Sequence, residues 1–271
     1  MSRLGHWLGL VVLGLATFCG AEALPQPATQ PLVPLDVPRC PHAPAMNAIA
    51  GAAWEHAASV EIREVPLNAD QEDRRRAAAY TTRARLMWSE DQLHVLVECG
   101  GPDFHSTYTL RDGPLYKEDV IEVFLDVKGD MRSYAEILIS PRGTVFDSLH
   151  TWRVKPGFTA NAIDWKAVAS DHIADEGWNL DGMYTASTAS SQGASAAWAV
   201  QLAIPLRTLL RQAGLPGTLS AGQVIRLNLL RYAHQRIGDQ PCLIQLNWGP
   251  TMRGCPHVSP MAMSAIRLAV R

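Results

Sequence analysis

Residues 108–126 read YTLRDGPLYKEDVIEVFLD, and the run Val120–Asp126 at their end decides the fold. At the two-residue period of a strand, Ile121, Val123 and Leu125 share one face, and Val120, Glu122, Phe124 and Asp126 the other. The first face is built for a core. The carboxylate in the middle of the second raises the question of what that face meets.

Working outward, Val127-Lys128-Gly129-Asp130 turns the chain, and Ser133–Ser140 returns as a second strand. Its Ala135, Ile137 and Ile139 point coreward, and Tyr134, Glu136 and Leu138 outward. A hairpin centred on Gly129 predicts Glu122 close to opposite Glu136. Like charges across a strand pair are destabilising, so the outer face needs donors or a cation. Arg226 and Asn228 alternate on the non-core face of a later strand, and Arg111 stands just before the acidic one. Carboxylates, guanidinium and amide groups flanked by an aromatic ring such as Tyr116 suit a sugar, with bidentate partners for vicinal hydroxyls and a flat apolar surface for a pyranose. The same charges also fit a salt-bridge network that joins strands and binds nothing.

The rest of the chain also alternates. Ala84–Trp88, Leu93–Glu98, Trp198–Ile204, Val224–Leu230, Leu243–Trp248 and Ala265–Val270 are predicted strands, and Leu206–Ala213 a short helix ended by Gly214. Residues 159–197, rich in Ala, Ser, Asp and Gly, are expected to be long loops with a strand or two among them. Arg74-Arg75-Arg76 beside Glu72 and Asp73 is expected to be a solvated loop. The predicted class is all-β, an antiparallel β-sandwich with one short helix and long loops.

At the amino terminus Arg3, an apolar Trp7–Phe18 segment too short to span a bilayer, and Ala21-Glu22-Ala23 have the make-up of a signal peptide over residues 1–23, cleaved near Ala23. Secretion or a periplasmic location follows. Residues 24–44, with prolines at 25, 27, 31, 34 and 38, are expected to be an extended linker, leaving 45–271 as the folded domain. A formal charge of −2 argues against a nucleic-acid surface, and no membrane span is expected. Four cysteines remain after cleavage, which in an exported chain suggests two disulfides in one of three connectivities; local closure favours Cys242–Cys255, which leaves Cys40–Cys99, and free buried thiols are the other reading. Cys40-Pro41-His42 and Cys255-Pro256-His257 could instead hold zinc, a less expected use in an exported chain.

The ordered series Trp54…Ala57, Leu86-Met-Trp88, Leu93-His-Val95, Tyr108-Thr-Leu-Arg-Asp112, Leu115-Tyr-Lys-Glu-Asp119, Val120-Ile-Glu-Val-Phe124, Tyr134-Ala-Glu-Ile137, Ser140-Pro-Arg-Gly143, Trp198…Ile204-Pro205, Arg226-Leu-Asn228 and Trp248…His257 resembles carbohydrate-binding module family 9, above all its bacterial family-9-like secreted proteins. The resemblance implies a non-catalytic module that binds the end of an oligosaccharide or polysaccharide. Two aromatic rings would sandwich the terminal sugar. The first falls on Tyr116; the second falls on His257, where a Trp is expected, so a smaller ring stacks there. Glu122 takes the acid of the D-x-x-E pattern, and Gln201 and His94 depart from the family pattern. The resemblance also implies structural calcium, for which Asp103, Asp112 and Asp130 are loop carboxylates, although no EF-hand loop is present.

Other functions also fit some of these residues. A related β-sandwich group binds haem b through Met and His or Lys ligands, and the chain has such residues, His94, His150, His234 and His257 among them, without a spacing that selects a pair. A structural envelope protein with a decayed sugar site is another. A glycosidase would use Glu122 and Glu136 as acid and nucleophile; nothing signals its deep cleft, and G-x-S-x-G, H-E-x-x-H and G-x-x-x-x-G-K-[ST] motifs are absent.

Overall fold

Every residue of Val120–Asp126 is buried, on both faces. In the computed structural model, which describes residues 33–46, 51–155, 169–192, 195–237, 240–249, 251, 257 and 263–270, this strand is β5, central in the larger of two sheets. That sheet runs β1 (Leu35–Val37), β13 (Ser264–Leu268), β11 (Val224–Ile237), β5, β6 (Ser133–Ile139), β7 (Val145–Val154) and β8 (Ala169–Asp175), with β12 (Gln240–Asn247) also paired to β11. The smaller sheet runs β2 (Ala58–Glu61), β3 (Thr81–Trp88), β4 (Gln92–Gly101), β10 (Ser195–Pro205) and β9 (Tyr184–Gln192). The pairings are antiparallel except that of β1 with β13, where Leu35 lies beside Ile266 and Val37 beside Leu268.

The sandwich closes because the apolar halves of the strands face one another. Ile121, Val123 and Leu125 join Ile137, Leu227 and Leu229 in one cluster with Leu86, Val95, Val97, Val200 and Leu202 of the other sheet. Each such side chain contributes roughly 1.5–3 kcal/mol on burial. Arg231, on the same face of β11, is also fully buried. Its guanidinium lies over Tyr80, 4.8 Å from the ring centroid, and donates to Thr81 O, Thr82 Oγ1 and Gly100 O, so it ties the two sheets together.

The β5–β6 turn corrects the predicted register. Asp126 accepts from the backbone N–H groups of Lys128 (3.0 Å), Gly129 (2.7 Å) and Met131 (2.7 Å), and both Gly129 and Met131 take the left-handed conformation, φ 70° and 58°. The turn therefore centres on Asp130 rather than Gly129. Glu136 stands opposite Phe124, and Glu122 opposite Leu138. The two carboxylates share a face but sit diagonally.

Other expectations are also corrected. The Arg74–Arg76 run belongs to a helix, α1 (Gln71–Ala77), whose Asp70 side chain caps Asp73 N at 2.8 Å and whose Glu72 pairs with Arg75 and Arg76. With α2 (Leu206–Gln212), the described residues thus hold two α-helices, not one. The segment read as a linker contributes β1, with Val37 fully buried, so the packed chain includes Leu35–Val37, before residue 45. Within 159–197, β8 and β9 are the expected hidden strands, joined by the first part of β10. The signal-peptide residues lie outside the described residues.

Cys40 and Cys99 are free and buried, not bridged. Cys40 lies beside Trp88, donating to its carbonyl at 3.3 Å, whereas Cys99 is opposite Thr82 at the other end of β3. Six residues of strand separate the two positions, about 20 Å at 3.3 Å per residue, and a disulfide requires Cα atoms within about 7 Å. Cys255 lies outside the described residues, and with it the expected bridge to Cys242. His42 is exposed while Cys40 is buried, which argues against a shared zinc site there.

Candidate functional site

The outer face of the larger sheet is polar at its centre because three adjacent strands keep period two through it. Glu122 and Phe124 of β5, Tyr134, Glu136 and Leu138 of β6, and Phe146, Ser148, His150 and Trp152 of β7 all point outward. On the edge strand β8, His172 stands opposite Trp152. His257, from the connection before β13, approaches this face: its ring centroid is 5.3 Å from Phe124 and 4.6 Å from His150.

A second layer covers β5 beside these groups. The 3-10 turn Leu115–Lys117 buries Leu115 against Val120 and Leu138, with Tyr108, Phe146 and Tyr232 around it. The acids after it hold the covering loop in place. Glu118 accepts from Thr107 N and Oγ1 and from Tyr108 N, and Asp119 accepts from His105 N (2.9 Å) and His234 N (3.2 Å). Tyr116 is left at the rim, 54% exposed.

A pocket of about 280 Å³ opens between these layers, lined by Tyr116, Glu122, Glu136, His150, Tyr232 and His257 among others. Glu136 is its anchored charge. Its Oε2 accepts from Ser148 Oγ at 2.9 Å and lies 2.9 Å from His150 Nε2, and its Oε1 is 3.3 Å from His257 Nε2. Burial alone would raise its pKa, but the hydrogen bonds and charges of His150 and His257 outweigh burial and hold the carboxyl well below the usual range. Glu122 goes the other way: burial, then the charge of Glu136, push its pKa well up. Its neutral form is thereby favoured over the charged one. Among the described residues its Oε2 has no hydrogen-bond partner.

Aromatic stacking holds the histidines. Tyr134 stacks on His150 at 5.0 Å and Trp152 on His172 at 4.0 Å, while the Tyr134 hydroxyl lies 2.9 Å from His257 Nδ1. Burial first, then His150 and His257, lower the pKa of His172 to about 4.

Of the seven residues picked from the sequence, Tyr116, Glu122, Glu136 and His257 meet in this pocket. Arg226 does not: it lies opposite Asp126, and its Nη1 reaches the Met263 carbonyl at 3.5 Å. Asn228 is buried and serves the backbone, donating to Gly249 O at 3.2 Å and accepting from Gly249 N at 2.8 Å. Arg111 pairs with Asp147, a residue opposite Ile137 and so on the core side of β7. The sequence reading missed Ser148, His172 and Trp152. The alternation Phe146, Ser148, His150, Trp152 was the available signal for β7.

The carboxylates considered for calcium serve local partners. Asp130 accepts from Arg132 N and Ser133 N and pairs with Lys128, Asp112 lies 3.7 Å from Arg111, and Asp103 is exposed. Among the described residues, the group of three or more ligating side chains that gathers is His150, His172 and His257. Asp103, Asp112 and Asp130 are not among the side chains that gather there.

Comparison with known proteins agrees with this architecture. Residues 47–137 match the family model described as carbohydrate family 9 binding domain-like. No curated protein sequence is a significant match. Among solved structures, a candidate carbohydrate-binding protein from Bacteroides uniformis ATCC 8492 aligns at TM-score 0.61 and 12% identity, over 87% of this chain and 97% of that one. A family 9 carbohydrate-binding module from Caldicellulosiruptor kristjanssonii in complex with cellotriose aligns at TM-score 0.52 and 15% identity, over 88% and 95%. The same organism's module with glucose gives 0.50 and 14%, over 87% and 96%. At these identities the likeness establishes a shared β-sandwich fold.

Proposed function

We propose, from the premise that residues 47–137 carry a family-9-like carbohydrate-binding domain, that the protein is an exported, non-catalytic module whose outer-face pocket receives the end of a glycan. The observation that carries this reading is the pairing of an exposed ring, Tyr116, with a buried acid, Glu122, whose Oε2 lacks a partner among the described residues and which lines the same pocket. A buried polar atom left unsatisfied costs about 1–3 kcal/mol, and a sugar hydroxyl entering the pocket would satisfy it. Tyr116 supplies the apolar surface for the sugar ring. At about 280 Å³ the pocket lies just below the usual range of about 300–1,000 Å³. It fits a terminal sugar unit better than a chain laid lengthwise.

The pKa values of Glu122 and Glu136 are driven apart, as in an acid and nucleophile pair. A non-catalytic role is favoured because both oxygens of Glu136 are already engaged, by Ser148, His150 and His257. Titration with glucose and cellotriose, with a parallel assay for newly released reducing ends, tests the reading. Saturable binding without hydrolysis is expected; no binding across a broad glycan array, or release of sugar, overturns it. Export rests on the amino-terminal pattern around Ala21-Glu22-Ala23, and amino-terminal sequencing of the secreted product should find a start near Leu24.

A further inference from the structure

We propose that His150, His172 and His257 form a site for one divalent transition-metal ion of the zinc class, and this does not depend on the pocket taking a sugar. Each histidine offers one ring nitrogen, and the three atoms lie within 4.8 Å of one another. His150 Nδ1 and His172 Nε2 are 3.0 Å apart. A tetrahedral zinc with metal–nitrogen bonds of about 2.0–2.1 Å sets its ligand nitrogens about 3.3 Å apart, so the first two are nearly placed and His257 must close by an ångström or so. Its side chain is 27% exposed and has room to turn.

Stacking accounts for the ring faces but not for the ring edges. Tyr134 and Trp152 supply flat partners for His150 and His172. An aromatic ladder does not require nitrogens to point at one another, as His150 Nδ1 and His172 Nε2 do. That contact can hold either one shared proton or a cation between the rings. The surroundings suit a metal ligand: His150 Nε2 faces Glu136 Oε2 at 2.9 Å, the carboxylate–histidine arrangement that orients a ligand and raises its basicity. An all-imidazole set selects zinc, copper or nickel over calcium or magnesium, which take oxygen ligands. Because His150 and His257 also line the pocket, a fourth position would open towards it, available to water or a ligand oxygen.

The test uses the full chain, stripped with chelator and dialysed, then titrated with zinc chloride by calorimetry and melted with and without the metal. One zinc per chain is expected, with a rise in Tm that chelator reverses. Cobalt(II) should give the visible bands of tetrahedral nitrogen ligation. His172→Ala, on an edge strand, should weaken zinc binding at least about 100-fold and lose the cobalt bands, and His257→Phe should do the same. His42→Ala, at an exposed position, should bind as the parent does. Sub-stoichiometric binding by the parent overturns the proposal, as does unchanged affinity in both His172→Ala and His257→Phe, each shown to melt cooperatively in chelator.

Discussion

Glu122 and Glu136 lie on neighbouring strands two residues out of register, one opposite Leu138 and the other opposite Phe124. The offset spares them direct opposition but leaves their charges in reach of one another. Glu136 is drawn into hydrogen bonds with Ser148 and the histidines, which hold its pKa low, while burial and the charge of Glu136 raise that of Glu122. Arg226 takes no part.

Substitution of each acid by its amide should therefore separate them. Glu122→Gln removes a buried carboxyl whose charged form burial disfavours and should leave stability at pH 7 unchanged or raised. Glu136→Gln removes the anion beside His150 and His257 and turns one of two engaged acceptor oxygens into a donor, and should cost roughly 1–3 kcal/mol. Urea unfolding of both variants measures the difference.

Tyr116→Ala should abolish glycan binding while changing stability by no more than about 0.5 kcal/mol, because the ring is over half exposed. Thermal melts paired with a ligand titration check this. A large loss of stability would mark the ring as packing instead.

Arg226 and Asn228, side by side in the sequence pattern, should behave differently. Asn228→Ala strips both hydrogen bonds that clamp Gly249 and should cost about 1–3 kcal/mol. Arg226→Ala should cost within about 0.5 kcal/mol and leave binding intact, since the guanidinium makes only a long bond to the Met263 carbonyl among the described residues. Denaturant titration of the pair decides it.

His94 is buried, its Nε2 2.9 Å from Ser89 Oγ and its Nδ1 without a partner among the described residues. Burial lowers its pKa from 6.5 to about 4, against a small opposing pull from Asp91. The unfolded chain then binds this proton more readily than the folded one. The histidine's contribution is intact above pH 6.5 and is lost as the pH falls towards 4. Relative to His94→Gln, which cannot titrate, the parent should lose stability over that window, by up to about 3 kcal/mol. Melts of both proteins from pH 7 to pH 4 should show the gap closing.

Cys40 and Cys99 should both react with a thiol reagent in denaturant. In the native protein Cys99 should be silent, because it is buried and burial pushes its thiol pKa up to about 12. Thiol counting before and after unfolding tests both statements.

The fold was legible in the sequence because period two is local. Ile121, Val123 and Leu125, or Leu93, Val95 and Val97, name their own core face without reference to any partner, and enough such runs in order specify a sandwich. The helix over Gln71–Ala77 was hidden because its charged residues carry little apolar periodicity, and β1 because proline-rich composition reads as extended chain whether or not a sheet edge receives it. The site was legible only where neighbouring segments of the chain carried it, as with Glu122 and Glu136 on one hairpin and Tyr116 just before it. Whether Arg226 or His150 neutralises Glu136 depends on which strand lies beside β6 and in what register. That in turn hangs on three backbone N–H groups turned towards Asp126 and on the pairing of β7, contacts between residues with no regular spacing along the chain. Tertiary structure alone could bring His150, His172 and His257, spread over more than a hundred residues, to within one ligand shell of each other.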